Sequence, residues 1–460
     1  MKRTFFLLVV FTIFCQLLYS QPVDLVTAGK VAMQKTAVQT NCTLGTAQVY
    51  SDNGQTLLFY FFPLQPAGYI VVSGDYRLPP VIAYSFTASA DAEGKWKQWL
   101  QTDIHLRMQA ISKLPETIIT KRKAAWDLFL KDGYKFSGKD VFLVKTNWHQ
   151  DGPYNLFCPL DPQNGNRSIA GCPAVAMAQI VNYYQTTNGV TFTDEDDYYH
   201  NYAGRQYWID DDYATVDFPS FPMLNAYLDT LGVHYQNSIP PTDNDKAALT
   251  FACGVAAIQV FTSSGSGTFG VGQAYDAYQK FNFSGSVLLT EADTNVYTRM
   301  AQNVANAMPV HLAVVDSTWS TGHNVVVDGH NSENYFHLNF GWGGSANGWY
   351  LLPDEFPYSL TVLEGAIVDI VPNNVGIRNP EINEENLCML SPNPAADFVK
   401  IQLPEQTACE LIIIFSDGRT AGKYRCKNGD MLDISHLNRG IYFVHCTAKG
   451  KKITEKLIVI

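Results

Sequence analysis

Apolar positions along the chain change period several times, and each change marks an expected element. Leu25 to Gln39 carries them at helical spacing, and Trp96 to Leu114 repeats that spacing with Trp96, Leu100, Ile104, Met108 and Ile111 on one side. Between these, Leu57 to Phe62 and Tyr69 to Val72 read as strands, split by Pro63 and Pro66, with a turn at Gly74-Asp75. Ala174 to Tyr184 is a run of small and apolar residues that predicts a helix central to one lobe. After Pro309, the stretches His311 to Val315, Asn324 to Val327 and Tyr335 to Phe340 predict successive strands separated by Gly, Asn and Asp. Helices early and strands late in residues 141–372 predict an α+β domain with segregated lobes. The end of the chain returns to short alternation at Val399/Ile401/Leu403, Leu411 to Phe415, Ile441 to Val444 and Leu457 to Ile460, the pattern of a small β-sandwich. The expected divisions are 1–20, 21–140, 141–372, a polar linker at 373–386, and 387–460.

Composition narrows the function classes. The chain has 460 residues, 46% hydrophobic and 16% charged, enough for two or three packed domains and too apolar for a disordered polymer. A net charge of −11 and a pI near 5.3 argue against a nucleic-acid or anionic-membrane binder. Lys2 and Arg3 precede a run, Phe5 to Leu18, that is apolar except for Thr12 and Gln16, and Ser20 precedes Gln21-Pro22. This is the form of a secretion signal, and it is too short to span about 30 Å of hydrocarbon. No later stretch reads as a transmembrane segment. Four of the nine cysteines, Cys388, Cys409, Cys426 and Cys446, fall near the end, where bridges are plausible; four cysteines allow three pairings, and spacing does not choose among them. No C-x-x-C or H-E-x-x-H pattern is present, so a zinc site has little support, and the thiol chemistry read below needs no metal or organic cofactor. The basic residues Lys121-Arg122-Lys123 read as a solvated face or a processing zone, and the acidic runs at 194–197 and 210–212 as solvated surface.

The most informative stretch is Gly171-Cys172-Pro173-Ala174-Val175-Ala176-Met177-Ala178-Gln179. Proline is tolerated in the first turn of a helix, where its missing N–H would be unpaired anyway. Cys172 is thereby expected at the helix N-terminus, where the positive dipole end favours a thiolate and the Cys172 N–H can meet an oxyanion. A thiol nucleophile needs a base. His323, in Gly322-His323-Asn324-Val325-Val326-Val327-Asp328-Gly329, opens a buried-type strand 151 residues later, close to the separation of roughly 130–150 in papain-like enzymes. Asn339, at the end of the next strand, is the candidate to orient the imidazole. His311 and His337 read as packed strand residues.

These residues resemble the streptopain family of secreted papain-fold cysteine peptidases. Trp148-His149-Gln150-Asp151-Gly152-Pro153-Tyr154-Asn155 is similar to the family's opening motif, Gly171 to Gln179 to its nucleophile helix, and Gly322 to Gly329 to its histidine strand. His337-Leu338-Asn339-Phe340-Gly341-Trp342-Gly343-Gly344 is similar to its tryptophan turn. The resemblance implies a two-lobed papain-like domain, with Cys172 as nucleophile, His323 as general base and acid, and Asn166, Asn339 and Trp342 in oxyanion or orienting roles. Three departures stand out. Position 166 is Asn where relatives commonly carry Gln, Phe340 stands where the family usually has Trp, and a Gly-rich loop is not recognisable in Leu351 to Gly365. Ser263-Ser264-Gly265-Ser266-Gly267 resembles a substrate-side loop of the family and equally reads as a flexible linker.

The flanks extend the likeness. Gly68 to Asp75 with Pro79 to Ser85 resembles the inhibitory propeptide of these zymogens, implying an intramolecular inhibitor removed by cleavage between about residues 121 and 147. Ser391-Pro392-Asn393-Pro394-Ala395 with Asp433 to Val444 resembles a type IX secretion C-terminal sorting domain, implying a bacterial protein that is secreted or held at the outer surface, with that machinery as partner. The expected activity is a secreted cysteine endopeptidase acting on proteins or peptides. The alternatives are a Cys/His amidase or transglutaminase-type enzyme, and a protease-like surface binding module whose oxyanion site has decayed at Asn166.

Overall fold

The computed structural model describes residues 21–373 apart from 38, 40, 54, 90–94, 132–139, 291, 316–321 and 354–362. It also describes 389–459 apart from 392–394, 396, 403–407, 416–418 and 449–450. The expected signal at 1–20, nearly all of the linker, Cys388 and most of the Leu351 to Gly365 stretch lie outside the described residues. The chain forms two compact units, up to Asn374 and from Val375 onward.

The first unit begins with α1 (Leu25–Thr36), whose N-cap Asp24 accepts from the Thr27 N–H. Strands β1 (Thr43–Leu44), β2 (Gln48–Asp52), β3 (Thr56–Gln65), β4 (Tyr69–Ser73) and β5 (Val81–Ser85) follow. Then come α2 (Lys95–Ala110) and α3 (Glu116–Leu130). The expected break at Pro63 does not occur, because β3 continues to Gln65: Pro63 stands opposite Tyr69, and its carbonyl accepts from the Gly45 N–H. The reading of Lys121-Arg122-Lys123 as a solvated face holds for Lys121 and Lys123, which are exposed, and is corrected for Arg122. That cluster sits inside α3, which buries Ile119, Arg122, Trp126 and Phe129; Arg122 donates to the Arg77 carbonyl and the Trp126 indole to the Leu78 carbonyl.

The rest of the unit holds α4 (Cys172–Tyr184), the hairpin β6 (Tyr198–Tyr202) and β7 (Arg205–Ile209), α5 (Phe221–Gln236), α6 (Asp243–Ala256) and α7 (Val271–Lys280). Beyond them lie β8 (Val287–Leu289), α8 (Val296–Ala305), β9 (Val310–Val315), β10 (Gly322–His330), β11 (Phe336–Asn339), β12 (Gly348–Tyr350) and β13 (Leu363–Val368). One sheet runs β1-β3-β4-β5-β12-β11-β10-β9-β13-β8, with β2 beside β3. The expected boundary near residue 140 is therefore no break in packing: β5 pairs antiparallel with β12, Tyr84 opposite Trp349 and Ala83 opposite Tyr350. The two faces of the sheet serve different cores, because alternate strand residues point to opposite sides. Val326 and Ala313 join the helical core around α4, α5 and α6. Val325, Val327 and Leu312 join a second core with Trp96, Leu100 and Ile104 of α2 and Met300 of α8.

The second unit is a sandwich of two antiparallel sheets. One contains β14 (Met389–Ser391), β15 (Phe398–Gln402) and β18 (Met431–Asp433); the other contains β17 (Thr420–Lys427), β16 (Ala408–Phe415), β19 (Gly440–Ala448) and β20 (Lys451–Val459). Val399 and Ile401 of one sheet pack with Leu411, Ile413 and Val444 of the other. Cys409, Cys426 and Cys446 are buried there and are not disulfide-bonded to one another.

Candidate active site

The first turn of α4 places the thiol. Gly171, its N-cap, has φ +84°, and a Cβ there would stand 2.6 Å from the Gln259 carboxamide oxygen, so only glycine fits both the backbone and the contact. Gln259 is fully buried and donates to the Ala170 carbonyl at 2.8 Å, fixing the chain immediately before Cys172. Pro173 then starts the helix, and the buried run Ala174 to Val181 anchors it in the lobe.

Cys172 is half-buried and lines a cleft of about 410 Å³ with Pro173, Tyr202, Gly265 to Gly270, Asn324 and Glu364. The Ser263 to Gly267 loop thus reaches the wall of this cleft. Its hydrogen bonds (Ser263 to Asp161, the Gly265 N–H to Thr262, and Ser266 to the Thr262 carbonyl) are those of an ordered turn. The thiol's hydrogen-bond partner among the described residues is the Asn324 side-chain amide, 3.8 Å away. Burial pushes the Cys172 pKa up, against hydrogen bonds from Asn324 and its own N–H; the Glu364 carboxylate pushes it up further. Burial and the Glu364 carboxylate thus act against the thiolate that the helix mouth favours.

His323 stands one residue from Asn324 on β10, and that single step decides its surroundings. Asn324 faces α4, whereas His323 lines an apolar cavity with Trp96, Trp99, Leu100 and Asp103 of α2. Its ring stacks on Trp342, centroids 4.5 Å apart, and on Phe340, and its Nε2 bonds the Phe340 carbonyl at 2.9 Å. Gly341, with φ +67° and Val175 of α4 3.0 Å from where a Cβ would stand, makes the turn that presents that carbonyl. Trp342 thus meets the imidazole, while Asn339 does not. Asn339 donates to the Thr146 carbonyl and, through its oxygen, accepts from Gln179 and the Gly341 N–H. Asn166 is exposed, its N–H taken by Asn164, and it is absent from the described cleft lining.

Asn324 and its supports were not read from the sequence. His311 is fully buried and bonds the Asn324 oxygen through Nε2 at 2.7 Å and the Tyr278 hydroxyl through Nδ1 at 3.2 Å. Their proximity follows from the β9–β10 register, in which Ala313 lies opposite Asn324 and His311 opposite Val326. His337, read as a packed strand residue, is buried with its Nδ1 2.6 Å from Asp328. Among the described residues no group of three or more His, Cys, Asp and Glu is arranged to hold a metal ion.

The chain combines a cleft-lining thiol at a helix N-terminus with an imidazole, one residue from the thiol's Asn324 partner, that lies on the other side of β10. Residues 148–350 match the Peptidase C10 family, residues 20–104 the Spi protease inhibitor family and residues 390–460 the secretion system C-terminal sorting domain. The chain thus carries a Peptidase C10 domain, of the streptopain family, behind an inhibitor segment and ahead of a bacterial secretion signal. It is 28% identical over 395 residues to the thiol protease/hemagglutinin PrtT of Porphyromonas gingivalis, covering 78% of this chain and 42% of that protein. To streptopain of Streptococcus pyogenes it is 24% identical over 333 residues, covering 67% of this chain and 77% of the relative. Among solved structures, a fragment of prointerpain A from Prevotella intermedia is 20% identical with a TM-score of 0.49, covering 71% of this chain and 99% of that one. No helix among the described residues is long and apolar enough to cross a membrane.

Proposed function

We propose that the protein is a secreted cysteine endopeptidase made as a zymogen, with Cys172 as nucleophile and His323 as its general base and acid. The observation that carries this reading is the cleft-lining thiol at the first residue of α4, against the strand that bears the imidazole. Once the inhibitor segment has left, the His323 ring loses the α2 side of its cavity and becomes free to turn to the thiol. It then takes the Cys172 proton, and the thiolate attacks a peptide carbonyl carbon. The oxyanion forms beside the Cys172 N–H, which the helix start leaves without an intrahelical partner. The imidazolium gives its proton to the leaving amine as the C–N bond breaks, leaving a thioester. Water, deprotonated by the same imidazole, attacks the thioester, releasing the acid and restoring the thiol.

With the inhibitor segment in place, the thiol pairs with Asn324 rather than with His323, and the enzyme is latent. The peptidase is expected to act on proteins or peptides, with maturation between about residues 121 and 147 and sorting by residues 387–460. The test is to release the inhibitor segment, then assay denatured casein alongside peptidoglycan. Casein cleavage that a thiol-directed epoxide abolishes is expected, as is loss of at least about 10³-fold in Cys172→Ala. Activity retained in that variant, or cleavage of peptidoglycan alone, rejects the reading.

A further inference from the structure

The cleft beside Cys172 holds a feature that peptide-bond hydrolysis does not require. Among the described residues lining it, Glu364 is the only charged side chain. It is placed there by an irregularity in the sheet: in the β13–β9 pairing Leu363 lies opposite Val314 and Gly365 opposite Ala313, so Glu364 is the extra residue of a bulge. A bulge re-aims the side chain it carries. Gly365 lets the bulge close, since a Cβ there would stand 2.9 Å from Val271 and 3.0 Å from the Leu289 carbonyl. One Glu364 oxygen accepts from the Val271 N–H at 2.7 Å, at the positive end of α7. That bond fixes the direction of the carboxylate.

We propose that this pocket is a selectivity subsite for a lysine or arginine side chain flanking the scissile bond, with Glu364 as the residue that reads the cation. The walls fit such a side chain along its length. Val260, Val315 and Pro173 offer apolar surface to a methylene stem, while Tyr202, Ser266 and Thr268 add polar surface. The carboxylate also raises the pKa of the Cys172 thiol and so opposes the reactive thiolate. A bound cation offsets that field at the moment the thiolate is needed, so a basic substrate both fills the pocket and eases ionisation of the nucleophile. The reverse holds for an acidic substrate side chain, which adds a second like charge beside the thiolate.

This inference rests on the peptidase reading above, and the experiment separates the two. The full-length protein, freed of its inhibitor segment, is given a proteome-derived peptide library, and the cleaved bonds are read by mass spectrometry. Enrichment of Lys and Arg at one position within three residues of the cut is expected. A peptide pair differing only in Arg against citrulline at that position should then show a kcat/KM ratio of at least about 10 in the parent enzyme. The ratio should collapse toward 1 in Glu364→Gln and survive in part in Glu364→Asp. Thermal melts check that the lost Val271 contact has not unfolded the variant. Cleavage with no basic preference at any position, or an unchanged ratio in Glu364→Gln, overturns the subsite and leaves the peptidase intact. If no peptide is cut, the peptidase reading fails instead. The pocket is then judged by calorimetry of the same two peptides on the Cys172→Ala protein, where equal affinity overturns it.

Discussion

At the scale of single residues, the site depends on the conformation forced at Gly171. With φ +84° and the Gln259 carboxamide 2.6 Å from where a Cβ would stand, Gly171→Ala must both strain the backbone and push a buried amide aside. A loss of about 2–4 kcal/mol in urea unfolding is expected, with activity falling more than the unfolded fraction explains. A variant as stable and active as the parent would show that the helix start tolerates a side chain. The residues legible in the sequence were those with a local signature, since Gly-Cys-Pro before small residues states a helix start and Gly-His before Val-Val-Val states a strand. Asn324, Glu364 and the Phe340 carbonyl have no such signature. Asn324 matters because alternation turns it toward α4, Glu364 because a bulge turns it inward, and the Phe340 carbonyl because Gly341 bends the chain. Asn166 follows from the family resemblance alone, and the loop that carries it leaves the side chain in solvent.

At the scale of elements, β9, β10 and α7 meet around a buried polar chain from Tyr278 through His311 to Asn324. Burial lowers the His311 pKa to about 4, against the hydrogen bond to Asn324, which raises it. An unfolded histidine titrates near 6.5, so the unfolded chain binds the extra proton first. Stability is then fully present above about pH 6.5 and declines as the pH falls toward 4, by up to about 3 kcal/mol. Melting temperatures of the parent from pH 7.5 to 4.5, set against His311→Phe, should show a steeper acid decline in the parent; parallel curves would count against the buried imidazole. Elements were predicted where one period persisted, as in α1, α2, α4, β9 and β10. The helix Glu116–Leu130 was missed because three successive basic residues masked its apolar face, although Arg122 is the member that turns inward.

At the scale of the whole molecule, the inhibitor segment is held by a shared sheet and by polar clasps. The Tyr69 hydroxyl lies 2.7 Å from the Ala346 carbonyl, Lys35 lies 3.0 Å from Glu333 while sitting over the Tyr84 ring, and Arg107 reaches the Leu351 carbonyl at 2.8 Å. Residues 21–131, expressed alone, should inhibit the matured enzyme at micromolar excess. A piece ending at 120 should be much weaker, because it cuts α3 before Arg122 and Trp126. No inhibition by the longer piece, in a steady-state assay, would remove the inhibitor role. The α+β class, the sandwich and the order of segments were legible from periodicity and motif order. The continuity of the sheet across residue 140 was not, because strand pairing between distant segments leaves no periodic trace.

That continuity has a further effect once the segment departs. Tyr84 and Ala83 are the neighbours that cover Trp349 and Tyr350, so maturation uncovers the main-chain donors and acceptors of β12 along one border. A border only three residues long, Gly348–Tyr350, offers a foreign strand too few bonds to take hold. The brevity that lets the inhibitor peel away thereby also protects the liberated enzyme from sticking to itself.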